Sequence, residues 1–222
     1  MNKKQFALNH YKLFNLICRN KFKGKIDIDN AGTLLKNCKF ISNGKNNHIS
    51  FRKGGFFNNC SFLLYGNDNN IVIGKNCRSE STEFYIEDDK GIIEVGNNTS
   101  FCGKAHLAVI EGTKIKIGDD CLFSSNIVLR TDDSHSILDL SGKRINPSKN
   151  IIIKNHVWIG YNVSINKNVT IEENTIIGTG AIVTKSIMKS NVIVAGVPAK
   201  IIKENINWDS KRIKIEVSEE MN

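Results

Sequence analysis

Between Ile153 and Met188 the chain advances in sixes: Ile153-Lys-Asn-His-Val157-Trp158, Ile159-Gly-Tyr-Asn-Val163-Ser164, Ile165-Asn-Lys-Asn-Val169-Thr170, Ile171-Glu-Glu-Asn-Thr175-Ile176, Ile177-Gly-Thr-Gly-Ala181-Ile182 and Val183-Thr-Lys-Ser-Ile187-Met188. Each unit opens on a branched aliphatic residue and carries a small or branched one four places later. Plain strand alternation would give period two with no preference for glycine, and a helix would return apolar residues at three and four. A six-residue period with two inward positions fits one short strand and one corner. Three such units close an 18-residue triangular coil, the kind of self-similarity that marks a solenoid.

Upstream the register continues with a longer period. Ile73-Gly-Lys-Asn-Cys77, Val95-Gly-Asn-Asn-Thr99 and Ile117-Gly-Asp-Asp-Cys121 follow Phe51 at intervals of 22, each preceded by an isoleucine two places earlier (Ile49, Ile71, Ile93, Ile115). The interval reads as one 18-residue coil plus a four-residue bulge or loop. Cys77, Thr99 and Cys121 fall in phase, which predicts an internal column of small side chains; Cys38 and Cys60 share the same spacing. None of the six cysteines forms a CxxC pair, which argues against zinc and thioredoxin-like chemistry, and a free cysteine is usually a small core residue. The pattern holds through Phe123 and Leu129 and fails over 136–150, a stretch holding Gly142 and Pro147 that reads as a loop leaving the coil. Long loops in compact domains are usually functional. After Val194 comes Ala195-Gly-Val-Pro198-Ala-Lys200 and a basic tail, expected to be helical through Trp208. The organisation is therefore a capping segment at 1–50, a solenoid at 51–200 with its loop at 136–150, and a tail at 201–222, since stacked coils need capped ends.

Composition agrees. The chain has 222 residues, 40% hydrophobic and 24% charged, which excludes disordered and collagen-like classes. Its 32 isoleucines suit strands, and its 29 asparagines suit corners that visit left-handed backbone. The net charge of +9 attracts anionic partners of unspecified kind. No apolar run is long enough for a membrane span, and the amino terminus lacks an uninterrupted apolar core and a cleavage site for secretion. Phe6, Leu8, Leu13, Phe14, Leu16 and Ile17 outline a short basic amphipathic helix, read as a packing or capping helix in preference to a membrane-surface anchor. The chain reads as cytoplasmic, with reduced thiols.

Hexads of this kind are the signature of the left-handed parallel β-helix. Three segments add to them: Ile127-Val-Leu-Arg-Thr-Asp-Asp-Ser-His135-Ser-Ile137, His156-Val-Trp158-Ile-Gly160, and Gly178-Thr-Gly-Ala-Ile-Val-Thr184-Lys185 followed by Ala195-Gly-Val-Pro-Ala-Lys200. Together, over roughly 117–208, they resemble the hexapeptide-repeat acetyltransferases. Within that superfamily the insertion Ser-Gly-Lys-Arg144-Ile-Asn146 and the ending through Asn-Trp208 look like the capsular sialic acid O-acetyltransferases; residues 1–50 carry no resemblance.

Moving an acetyl group from a thioester to a hydroxyl needs a general base that titrates near neutrality, and histidine is the natural choice. His135 stands where the hexads give way to the loop and matches the family's catalytic position. Asp133, two residues before, either holds its tautomer or occupies a solvated turn. His156 reads as a corner residue, and His106 as surface. Trp158 takes the outward last place of its hexad, where the resemblance puts an indole beside the thioester or acceptor; the alternative is an anchor at a subunit interface. The resemblance also implies an oxyanion contact from the backbone N–H near Tyr161, in place of the small residue often seen there. It assigns Thr179, Ala181, Thr184 and Lys185 to the pantetheine groove and Lys200 and Lys203 to the nucleotide phosphates, where a solvated charge run is the competing reading. Lys143 and Arg144 on the loop would suit the carboxylate of an acidic sugar, because an arginine fork binds a carboxylate through two hydrogen bonds.

The implied protein is an acetyl-CoA-dependent O-acetyltransferase that works by direct transfer in a ternary complex, as a homotrimer with sites at subunit interfaces. No metal, nucleic-acid or integral membrane partner is expected. Rival readings are an acetyltransferase for a small acceptor (a free sugar, serine, a nucleotide-amino sugar or an antibiotic), a γ-class carbonic anhydrase type needing three ligating histidines, and a polyanion-binding solenoid without activity.

Overall fold

Eleven inward hexad positions, from Ile153, Val157 and Ile159 through Ala181 and Val183, are all buried, and this alternation bends the chain into a triangular coil. The computed structural model describes residues 10–214. In it the strands form three sheets of eight, seven and nine strands; every strand but the last, Lys200–Glu204, is hydrogen-bonded in parallel to the equivalent strand one coil away and not to its sequence neighbour. The sheets are the three faces of a left-handed parallel β-helix. Its corners use left-handed backbone: eleven described asparagines, among them Asn76, Asn98, Asn162 and Asn174, hold φ between 52° and 65°. Their side chains also join coil to coil, as where Asn76 Nδ2 donates to Asn98 Oδ1 (3.1 Å) and Asn98 Nδ2 to Asp120 Oδ1 (3.0 Å).

The four extra residues of the longer coils all fall on one edge. Leu107 pairs with Leu129, and Ile115 with Ile151, so the added length lies between Leu107 and Ile115, where the first face turns into the second. No bulge is inserted: the first-face strand extends, to five residues at Ala105–Val109 against two at Ser164–Ile165, and the corner widens. A wider coil needs larger fillers, and phenylalanine supplies them. The rings of Phe22, Phe40, Phe62 and Phe84 stack at 5.0, 4.9 and 4.8 Å, and Phe101 packs on Phe123 at 4.5 Å.

Those aromatics also move the expected boundary. The coils begin at Lys21–Lys23, whose strand pairs with Lys39–Asn43, so most of 1–50 belongs to the stack and not to a separate cap. Among the described residues the cap is the helix Tyr11–Ile17. It is tied down by Asn15, whose Nδ2 donates to Thr33 O (2.9 Å) and whose Oδ1 accepts the Leu35 N–H (2.7 Å), while Leu13, Leu16 and Ile17 face solvent. Phe6 and Leu8 lie outside the described residues. At the other end the described part of the tail is not helical: Lys200–Glu204 runs antiparallel to Val192–Ala195, and irregular chain follows through Trp208 to residue 214.

The column of small residues is present. Cys77, Thr99 and Cys121 are buried in phase, Thr99 Oγ1 donates to Gly118 O (2.9 Å), and the Cys121 N–H donates to Thr99 Oγ1 (3.1 Å). Burial pushes the Cys77 thiol up to about 11 and the Cys121 thiol to about 12. Cys102 departs from the pattern; it sits on a corner and is exposed. No described helix is long and apolar enough to cross a membrane.

Candidate active site

The loop leaves the solenoid at the widened edge. Ile127–Arg130 is the last first-face strand before it, Thr131 turns the corner, and Ile151–Ile153 resumes on the second face. Between them the chain makes a small hairpin bridged at Leu138 and Arg144, with Leu140 fully exposed at its tip. At the loop's mouth Arg130 Nη2 donates to Asp132 Oδ1 (3.1 Å) and Ser134 Oγ (2.6 Å), and the Ser134 N–H donates to Asp132 Oδ2. Ser134 takes φ 64°, and the His135 N–H donates to Asp133 O at 2.8 Å, closing a γ-turn centred on Ser134. Positive φ in such a turn, on a residue that carries a Cβ, is rare, costs about 1–3 kcal/mol and persists only where its surroundings over-determine it. The turn leaves His135 exposed, and among the described residues its imidazole makes no hydrogen bond.

Asp133 does not hold that imidazole. Its Oδ2 accepts Asn146 Nδ2 (2.8 Å) and Lys167 Nζ (2.5 Å), and the Lys167 ammonium keeps the carboxyl below its ordinary range. Arg144 likewise differs from its expected part. Nη1 pairs with Glu111 Oε1 on the corner of the preceding coil, while Nε and Nη2 donate to Asn146 Oδ1 (3.2 Å) and Asn146 O (3.3 Å). The guanidinium thus faces the loop's own base instead of standing open for an acceptor carboxylate. It holds the Glu111 carboxyl down to about 2. Lys143 is exposed at the hairpin. Thr184 and Lys185 are exposed on this same edge, one coil beyond Lys167.

The other expected site residues gather elsewhere. Trp158 lies outward on the third face, 38% exposed, between Leu122 and Ile176 in register. Tyr161 occupies the corner from third face to first, half exposed, with Thr179 exposed on the corresponding corner of the next coil. No bond among the described residues uses the Tyr161 N–H, although its carbonyl accepts the Gly180 N–H at 2.8 Å. The preceding Gly160 is required by close approach: a Cβ there would stand 2.8 Å from Ile177 O. Lys200 and Lys203 are exposed on the antiparallel third-face strand. Ala181 is a correction. Its side chain is fully buried, because it fills the inward fourth place of its hexad, and it lines no groove.

A triangular prism sets an edge opposite a face. His135, Asp133, Lys143, Arg144, Thr184 and Lys185 belong to the edge between the first and second sheets, whereas Trp158, Lys200 and Lys203 belong to the third. One chain therefore presents two half-sites and does not bring His135 to Trp158. Sequence reasoning missed four participants: Asn146, Lys167 and Glu111 around the loop, and Trp208. Trp208 stacks on His156 at 4.2 Å, lies 5.9 Å from Trp158, and donates its Nε1–H to His156 O (2.9 Å). His156 is indeed a corner residue, at φ 55°. Among the described residues no group of three or more histidine, cysteine, aspartate or glutamate side chains is placed to hold a metal ion.

Comparison with known proteins fits this layout. The family described as Bacterial transferase hexapeptide (six repeats) matches residues 150–185. A polysialic acid O-acetyltransferase of Escherichia coli O1:K1 / APEC is 50% identical over 115 residues, covering 51% of this chain and 37% of that protein. A second, from Neisseria meningitidis, is 44% identical over 110 residues, covering 49% and 51%. The chain thus spans about half or less of the curated relatives it matches. Two solved structures extend the likeness over most of the chain. The polysialic acid O-acetyltransferase OatWY has 30% identity over 87% of this chain and 92% of that one, with a TM-score of 0.83. The polySia-specific acetyltransferase NeuO has 32% identity over 89% and 85%, with a TM-score of 0.73. With the hexapeptide family matched and 30% identity to a polysialic acid O-acetyltransferase of which it covers 92%, the chain belongs to the hexapeptide-repeat acetyltransferases.

Proposed function

We propose that this protein is an acetyl-CoA-dependent O-acetyltransferase that modifies hydroxyl groups of a capsular polymer of sialic acid. The observation that carries the reading is His135, held out on an over-determined γ-turn with its imidazole free of any partner in the described chain. His135 removes the proton from the acceptor hydroxyl as the oxygen attacks the thioester carbonyl carbon. The negative charge formed on the carbonyl oxygen is met by the Tyr161 N–H, a contact of the type worth about 3 kcal/mol. Collapse of the intermediate breaks the carbon–sulfur bond, and the proton on His135 passes to the departing thiolate, so no acyl-enzyme forms. The band of Tyr161, Thr179, Lys200 and Lys203 offers an N–H, a hydroxyl and two ammonium groups, which suits the amide arm and phosphates of coenzyme A, with Trp158 beside the thioester. Because the two half-sites are opposed within one prism, each active centre joins the His135 edge of one chain to the third face of another, as in a homotrimer. Six free cysteines suit the reducing cytoplasm. Lys143 remains the loop cation available to an acidic acceptor.

The test is acetyl transfer from acetyl-CoA to polymers of sialic acid, to neutral polysaccharides and to their monomers, with wild type and His135→Ala. The expected result is turnover on the acidic polymer, lost in a variant that keeps its fold and oligomeric state. Substantial activity in His135→Ala overturns the assignment, and preference for monomers favours the small-acceptor reading.

A further inference from the structure

His135 follows the strained Ser134 in a loop with almost no apolar burial of its own, so something other than core packing must fix it. The side chain at the centre of that task is Asn146, itself only 7% exposed. An amide offers two donors and two lone pairs. In Asn146 all four are used, and three of the bonds go to the turn that carries His135. Nδ2 donates to Asp133 Oδ2 (2.8 Å) and to the His135 carbonyl (2.8 Å), and Oδ1 accepts the Ile137 N–H (2.8 Å). The fourth bond is from Arg144 Nε to Oδ1 (3.2 Å). The backbone of Asn146 is held as well: its carbonyl accepts Arg144 Nη2 (3.3 Å) and Lys167 Nζ (3.1 Å). Arg144 in turn is paired with Glu111, whose Oε2 also accepts the Ser148 N–H (3.0 Å). A continuous polar chain therefore runs from a solenoid corner, through Arg144 and Asn146, to the residues on both sides of His135.

We propose that Asn146 is a positioning residue that fixes the orientation of the His135 backbone, with Arg144 anchoring it to the Glu111 corner. The proposal rests on the reading of His135 as the general base. It also gives Arg144 a task that explains why its guanidinium faces inward. Buried polar groups that are fully satisfied specify one arrangement, and removing one member leaves the others unpaired. A general base displaced by about 1 Å can cost about 10²-fold in rate.

Two variants separate positioning from packing. Asn146→Ala removes the amide. Asn146→Asp keeps its size and its acceptor but loses both donors and sets a carboxylate against Asp133. Both are expected to lower kcat about 10²-fold while leaving KM for acetyl-CoA and the melting temperature nearly unchanged. Arg144→Lys, which keeps a charge near Glu111 but loses the fork, should give a smaller fall in kcat. In wild type the NMR signal of a ¹³Cε1-labelled His135 ring should be single and sharp; in both Asn146 variants it should broaden or split. Wild-type kcat in Asn146→Asp overturns the proposal, as does a change confined to KM, or a His135 signal identical in wild type and variant. Should Asn146→Ala not fold, Asn146→Asp and Arg144→Lys decide by the same criteria. If His135→Ala proves fully active, the catalytic reading fails, while the His135 signal still reports whether Asn146 orders the turn.

Discussion

Replacing Glu111 with glutamine tests how the loop is held, because it removes one charge and almost no volume. Glu111 accepts the Arg144 guanidinium on one oxygen and the Ser148 N–H on the other at 3.0 Å, so it is the main solenoid group gripping the hairpin. The guanidinium holds its carboxyl near 2 instead of the usual value of about 4.3. At about 1.4 kcal/mol per unit that preference is at most about 3 kcal/mol. The side chain is a third exposed, and solvent screening of such a pair reduces the stabilisation to about 1 kcal/mol. The site of action is the loop, so amide exchange over 136–148 in Glu111→Gln should accelerate about fivefold at neutral pH, since 1.4 kcal/mol is about tenfold. Exchange in Phe62 or Ile93 of the core should not change. The sign with pH follows from the depressed value: the contribution is fully present above about 4.5, and is lost as pH falls through about 2. Corrected for intrinsic exchange, loop protection in the wild type should therefore decay across that window, and in Glu111→Gln it should decay less, the remainder coming from Asp133, whose carboxyl is also held low by Lys167. Equal loop exchange in the two proteins at neutral pH, or uniform loss of protection throughout the solenoid, would refute the reasoning.

Two further outcomes follow from packing. Phe62 is fully buried between Phe40 and Phe84 with rings 4.9 and 4.8 Å away, so Phe62→Ala should cost about 4 kcal/mol, read as a lower denaturation midpoint with exchange rising first in the wide coils. Trp208→Ala removes a stack at 4.2 Å and a hydrogen bond at 2.9 Å, together about 2 kcal/mol; trypsin cleavage at Lys211 and Arg212 should quicken about 30-fold without a change in melting temperature, and unchanged cleavage would show that Trp208 does not hold the tail.

How much of this was legible depended on whether a residue obeyed the period. From Ile153 to Ile187 each branched residue's place in its hexad gives its direction, and burial follows it. Ala181 shows the strength of that rule: its own hexad marks it as inward, and only the family resemblance drew it towards a groove. The first coils were hidden because Phe40, Phe57 and Phe62 replace the aliphatic residue that the eye follows, a consequence of wider coils needing larger fillers. The loop announced itself by breaking the pattern, and His135 by standing at the break. The bonds that hold it were not legible. Glu111 meets Arg144 across a sequence separation of 33 that belongs to no period, and Asn146 reaches back to Asp133 and His135 within an irregular segment. Side-chain polar partners depend on local geometry that hydrophobic periodicity does not encode.

The widened edge has a consequence of its own. Coil after coil, its corner is completed by the corner above: Asn69 accepts the Gly91 N–H (2.8 Å) and donates to Asp88 O (3.0 Å). Where the coils narrow, that stairway has no next step, and the corner at Ile110–Thr113 would end with bare amides. The segment that leaves the coil supplies what is missing, since Thr131 Oγ1 accepts the Ile110 N–H (3.1 Å), Thr113 Oγ1 lies 2.7 Å from it, and the Glu111 side chain grips Arg144. The loop is therefore a landing built into the middle of the chain. It terminates the broad half of the solenoid and carries the proposed base on the same few residues, so changes that retune the acceptor must also keep that seam closed.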